Sequence, residues 1–337
     1  LVSNTYIAGS VEAPQQVDTR YRGTKMPHHR RLEEPDRYWL LSNRTQQGEF
    51  LFRPDDECCR IIRGCLAWAA DRYEVRLVAY AFISNHFHLV ASFPKGNRAA
   101  FMREFQGELA GRINDLRDRT GTVFPRPYDA QALLDEEVLL DKISYTANNP
   151  VRHGLVTHSE AWPGVCSVEC NRGETPLVGR WLDHNKWHNL SRRKNPPPKA
   201  TAMVEHTVDL HLPECLPGDD PAERREAMLD KIEEDRQRFC QQAGLDRHRR
   251  ADNPSRYTST DWRTKQPIDE EWCSSRRACA GTEASAVADY LERRRQIDED
   301  FRAAADRWKD GNEATFPPGT YPPGRARPVA QLESRAP

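Results

Sequence analysis

Residues 76–93, RLVAYAFISNHFHLVASF, decide the architecture. Two runs of strand-forming residues, RLVAYAF (76–82) and HFHLVASF (86–93), flank Ile83, Ser84 and Asn85, which predicts a β-hairpin. Period-two alternation in the second run sends His86 and His88 to one face and Phe87 to the other. Working outward, YWLLS (38–42) reads as a preceding strand, and Phe50, Leu51 and Phe52 follow a turn at Gly48. Asp55 and Asp56 are placed to cap a helix running to Tyr73, with Cys58, Ile61, Ile62, Cys65, Leu66 and Ala69 on one side. Downstream, Phe101, Phe105, Leu109, Ile113 and Leu116 recur at helical steps over 97–118, and residues 128–134 form a fourth strand. A third helix spans 135–149 and stops at Pro150, because proline disfavours helical geometry in the residue before it. The order is that of an α+β, ferredoxin-like antiparallel sheet with helices on one face, the last helix being an addition.

Composition constrains the rest. The 337 residues, 30% of them charged and including 24 prolines, are more polar than a compact globular chain, so part of the length is expected to lie outside a packed core. The expected division is a disordered segment at 1–30, a folded domain at 31–170, a low-order linker with short helices at 171–282, and a C-terminal helix with a Pro/Gly-rich tail at 283–337. That helix is carried by Val287, Tyr290, Leu291, Ile297, Phe301 and Trp308, and the tail by FPPGTYPPG (316–324). A charged helix is also expected from Ala222 to Ala243. The chain begins with Leu1, and Met26 is the expected natural start. No long apolar run predicts a membrane span, and a cytoplasmic location is expected. The nine cysteines contain no C-x2-C pair and read as free thiols. A net charge of -1 gives no general argument for nucleic-acid binding, so any such function must rest on particular residues.

Those residues are few. Paired imidazoles on one strand face can converge on a divalent cation. Tyr145 and Asn149, four apart, share one face of the third helix. If that face lies against the histidine strand, His86, His88 and the Asn149 carbonyl oxygen would form an incomplete nitrogen and oxygen set for Mg2+ or Mn2+, open to a phosphate oxygen. Each residue alone also has an ordinary reading: Tyr145 as a core tyrosine, Asn149 as a helix end, the histidines as a chance pair.

The stretches YWLLSNRTQQGEFLF, AYAFISNHFHLVASF, MREFQGELAGRINDLRDRTGTVF and DKISYTANNPVRHGLV together resemble the single-tyrosine HUH transposases, specifically the REP-associated tyrosine transposases of insertion-sequence type. The likeness covers residues 26–167, and the specific part is Tyr145 to Val156, close to the family's Y-I-x-x-N-P-V-x-x-G-L-V. It implies Tyr145 as nucleophile, His86, His88 and Asn149 as ligands of Mg2+ or Mn2+, and cleavage and rejoining of single-stranded or hairpin DNA through a 5'-phosphotyrosine. Ser84 stands where the family has proline, and Thr146 and Asn148 replace apolar residues. Arg126 is shifted by one position in FPRPY (124–128). Arg103, Arg112, Arg117 and Arg119 on the second helix, with Arg126, are the expected DNA contacts; solvated surface charge is the other reading of the helical ones. Self-association is a further expectation. Tyr128 is a second nucleophile candidate, ranked below Tyr145, and His184 with His188 forms an H-x3-H that could be a further metal pair, with surface histidines the preferred reading. The rival function is a non-catalytic hairpin DNA- or RNA-binding module on the same sheet, as in RRM domains; displaying histidines instead of stacking rings disfavours the RRM-type form of it.

Overall fold

A computed structural model describes residues 31–173, 175–242, 254–266, 278–324 and 328–329. The expectations for residues 1–30, including Met26, and for Cys273 and Ala243 fall outside these. Strands are β1 (Tyr38–Arg44), β2 (Arg76–Ile83), β3 (His86–Ser92), β4 (Asp129–Leu133), β5 (Leu177–Leu182), β6 (Met203–Val208) and β7 (Cys279–Ala280). Helices are α1 (Asp56–Arg72), α2 (Arg98–Leu116), α3 (Glu136–Ala147), α4 (Asn149–Arg152), α5 (Val168–Gly173), α6 (His184–Ser191), α7 (Pro221–Gln242), α8 (Pro254–Ser259) and α9 (Ala284–Lys309).

The fold is α+β. The main sheet runs β2-β3-β1-β4-β7. Its first four strands pair antiparallel in the order the ferredoxin-like reading requires, and β7 joins β4 in parallel, so the complete sheet is mixed. Only Ser84 and Asn85 separate β2 from β3. That tight link is held from outside: the Thr45 amide donates to the Asn85 carbonyl at 2.8 Å and the Phe52 amide to the Ser84 carbonyl at 2.8 Å.

Alternation along the strands builds two cores. On one face Trp39, Leu41, Phe82, Phe87 and Leu89 meet α1 and α2, with Phe87 at 5.4 Å from Phe82 and 5.7 Å from Phe105. On the other, Ala79, Ala81, Ile83 and Val90 meet Val138, Leu139 and Ile143 of α3. Helices α1 and α2 therefore share one face, as expected, and α3, the expected addition, covers the other. The strands are apolar on both sides, so a second layer is needed to keep water off the far side.

Residues 171–282, expected as a low-order linker, contain the β5–β6 hairpin and the 22-residue α7. The hairpin lies on α1 because two glycines meet there: a Cβ at Gly179 would overlap the Arg63 carbonyl, and one at Gly64 the Arg180 carbonyl. Trp68 and Trp181 stack beside them at 4.7 Å. Helix α7 buries Met228 and Ile232 in the α3 core. Helix α9 sets Val287 and Tyr290 into the α1–α2 core, and the tail returns to the start of the domain, with the Glu33 amide donating to the Gly319 carbonyl at 2.9 Å. The eight described cysteines are unpaired. Among the described residues, no helix is long and apolar enough to cross a membrane.

Candidate metal and nucleophile site

β3 positions the histidines. His86 lies opposite Ile83 and Arg44, His88 opposite Ala81 and Ser42, and all of these share the face that α3 covers. Phe87, between them, is driven into the aromatic cluster of the opposite core, which fixes the strand's orientation. The two imidazoles are 5.3 Å apart at 81° and nearly sealed from solvent.

α3 brings the phenol. Asp135 caps it by accepting from the Val138 amide at 2.9 Å, and Glu136 and Glu137 complement the first turn. The helix ends at Ala147, and Asn148 is its cap. Asn149 begins the separate turn α4, with Pro150 in its first positions, where a missing N–H costs nothing. The reading of one helix through Asn149 is thus corrected: the break falls a residue earlier, because Pro150 cannot donate back to Thr146. The break matters for the site, since it turns the fully buried Asn149 toward the strand, with its Oδ1 3.1 Å from His86 Nε2. Tyr145 meets His88 edge to face at 5.4 Å and 87°.

Asn85 decides how His86 presents itself. Its side-chain nitrogen donates to the Gly48 carbonyl at 3.3 Å and to Gln266 Oε1 at 3.1 Å, which leaves its Oδ1 facing His86 Nδ1 at 2.7 Å. Nδ1 therefore carries the hydrogen. Burial, then His153, His88 and Arg44, holds the His86 pKa well below the ordinary value, so the ring is neutral and Nε2 offers a lone pair. That lone pair confronts the lone pairs of Asn149 Oδ1, and Asn149 Nδ2 is buried without a hydrogen-bond partner among the described residues. Either a flipped amide or a cation between the two atoms satisfies them. His88 is held at about 3 by burial, then His153 and Lys142, and its Nδ1 is buried with no hydrogen-bond partner among the described residues.

This donor set fits a divalent cation. Two neutral imidazoles and an amide oxygen are borderline ligands for Mg2+ or Mn2+, and Asn85 does for His86 what an outer partner does for a metal-bound imidazole, fixing the tautomer. Among the described residues no group of three or more His, Cys, Asp or Glu side chains is placed to hold a metal, so His153, though 4.8 Å from His86, adds no third imidazole ligand.

Four residues singled out from sequence, His86, His88, Tyr145 and Asn149, thus converge. The arginines do not. α2 covers the opposite face of the sheet, where Arg117 is buried against Asp55 at 2.8 Å, Arg112 pairs with Glu108 at 2.8 Å, Arg119 with Glu49 at 3.8 Å and Arg103 with Glu104 at 3.1 Å. Arg126 is exposed on the loop before β4, its carbonyl accepting from Asn43 at 3.1 Å beside the histidine end of the sheet. Tyr128 sits with the α1–α2 core, near Arg98 and Glu33. His184 is occupied by Glu108 at 2.9 Å.

The cations that do surround the pocket escaped the sequence reading. Arg152 lies over the Tyr145 ring at 4.9 Å and Lys142 at 5.8 Å, while Arg44 acts on both His86 and His153. Helical spacing offered a signal for Lys142, three residues before Tyr145; Arg44 could be found only through the β1–β3 register.

No family model matches the chain. No curated protein matches it. Among solved structures it is similar to a REP-associated tyrosine transposase bound to a REP hairpin, at 16% identity and a TM-score of 0.39, over 45% of this chain and 90% of that one. A transposase candidate from Deinococcus radiodurans R1 is similar at 16% identity and a TM-score of 0.24, over 32% of this chain and 82% of that one.

Proposed function

We propose that the chain is a metal-dependent DNA strand transferase of the single-tyrosine HUH kind, acting on single-stranded or hairpin DNA. The observation that carries this is the convergence of Asn149 Oδ1 on the neutral His86 Nε2, with His88 beside them and the Tyr145 ring against His88. The Tyr145–Val156 motif supports the same reading from sequence.

His86, His88 and Asn149 would hold the cation, which when bound withdraws charge from the scissile phosphate. Tyr145 supplies the nucleophile. Its oxygen attacks phosphorus, the bond to the 3' oxygen breaks, and the products are a 5'-phosphotyrosine and a 3'-hydroxyl that takes up the proton. Because one phosphodiester is exchanged for another, a second 3'-hydroxyl can reverse the step and join strands without ATP. Burial raises the Tyr145 pKa and Arg152 opposes that rise, so local positive charge is what favours the phenolate here. Arg44, Lys142 and Arg152 also give a chain of net charge -1 a locally basic pocket suited to a phosphate backbone.

The test is covalent capture. Full-length protein incubated with hairpin DNA and Mn2+ should give an adduct that survives denaturation, and Tyr145→Phe should abolish it. Binding without any adduct would favour a non-catalytic hairpin-binding protein, and an adduct that persists in Tyr145→Phe would rule out this nucleophile.

A further inference from the structure

We propose that α7, a later element packed on α3, positions the Tyr145 nucleophile through Arg152, whose guanidinium contacts both the Tyr145 and the Phe239 ring. The inference rests on Tyr145 being the nucleophile. The Arg152 guanidinium carbon is 4.9 Å from each ring centroid, so one planar cation contacts both the nucleophile and a residue of α7. Arg152 itself is exposed, so burial does not hold it in place. Of the two rings, only Phe239 belongs to an element that the tyrosine-bearing helix does not carry.

The same helix grips the surrounding segment at three further points. Asn148, the cap at which α3 breaks, donates its side-chain amide to the Ile232 carbonyl at 2.8 Å. Lys231 pairs with Asp141 at 3.4 Å, one turn before Tyr145. Arg236 donates to the Thr157 carbonyl at 3.2 Å, just beyond α4. Contacts therefore fall before, at and after the break that turns Asn149 toward His86. A helix this rich in charge, with only Met228 and Ile232 buried, is poorly built to add core stability. Its polar contacts instead fall on the segment that must hold a phenol and an amide in register with the histidines. A near-attack arrangement is lost over distances of about an ångström, so loosening this segment should slow the chemical step far more than it weakens DNA binding.

The experiment compares full-length Phe239→Ala, Phe239→Trp, Arg152→Lys and, as a control on the exposed side of α7, Glu234→Ala. Three quantities are read: the single-turnover rate of adduct formation at saturating hairpin DNA with Mn2+, hairpin affinity, and amide hydrogen exchange over residues 143–153. Phe239→Ala should slow adduct formation by roughly tenfold to a hundredfold with affinity within about threefold, and should speed exchange over 143–153 while α1 and α2 stay protected. Phe239→Trp should restore both. Arg152→Lys keeps the charge but loses the planar guanidinium, and should follow Phe239→Ala. Wild-type rate and exchange in Phe239→Ala and Arg152→Lys would overturn the proposal, as would a loss confined to affinity. If Phe239→Ala does not fold, Phe239→Trp and Arg152→Lys still decide it. If the wild type forms no adduct, the nuclease reading fails separately, and exchange alone judges the α7 clamp: faster exchange upholds it and unchanged exchange removes it.

Discussion

Lowering the pH from 7 to 5 should destabilise this protein through His86 and His88, and the structure sets the scale. Both rings are nearly sealed from solvent, and desolvation holds their pKa values far below 6.5, with His88 at about 3. In the unfolded chain each imidazole takes up a proton with a pKa of about 6.5. The folded state does not bind that proton until the pH is much lower. For a histidine depressed in this way, the stability is fully present above the unfolded pKa and is lost as the pH falls below it, down to the folded pKa. The loss is about 1.4 kcal/mol per pH unit for each group, so roughly 1.5 units below 6.5 costs about 2 kcal/mol per histidine and about 4 kcal/mol for the pair. Urea midpoints at the two pH values, for wild type and for the His86→Gln/His88→Gln double variant, isolate this contribution from all other titrating groups. The double variant should lose about 4 kcal/mol less than wild type over the interval. Equal losses in the two proteins would show that the imidazoles are not held neutral by burial and would remove the basis for treating them as ready ligands.

Three further outcomes are expected. Mn2+ at a hundredfold excess over its dissociation constant should raise unfolding stability by about 2.7 kcal/mol, and Asn149→Ala should remove most of that rise in the same thermal-shift titration. Arg117→Met should cost about 3 kcal/mol in urea unfolding, because the buried Arg117 holds Asp55 and the Leu51 and Arg53 carbonyls, while Arg103→Met on the same helix should change stability by no more than about 0.5 kcal/mol. Gly179→Ala should cost roughly 1–3 kcal/mol and expose the β5–β6 hairpin to limited proteolysis, since its new Cβ has no space against the Arg63 carbonyl.

Local pattern wrote much of this molecule plainly. The hairpin at 76–93 is legible because alternation and a two-residue link are properties of consecutive residues, and so is the same-face placement of His86 and His88, which needs only a period of two. The helices bearing Phe101–Ile113 and Val287–Phe301 were legible for the same reason at a period of 3.6. The tyrosine segment was legible through its motif, although Pro150 moved the helix break to Asn148.

What the sequence by itself could not decide was which surfaces meet. That α3 lies on the histidine face and α2 on the other depends on how both apolar sides of the sheet are covered, and it separates Arg103, Arg112, Arg117 and Arg119 from the site. That Arg44 acts on His86 and His153 while Lys142 and Arg152 lie over the Tyr145 ring follows from strand register and a helix break, neither of which leaves a spacing signal linking all three. The strand pair after residue 171 and α7 look polar because much of their surface stays exposed; two facing glycines, the Trp68–Trp181 stack, a few buried side chains (Leu177, Val208, Met228 and Ile232) and polar contacts attach them. Periodicity is set by neighbours in the chain, whereas a site is set by residues tens to hundreds of positions apart, and only the packed layers bring those together.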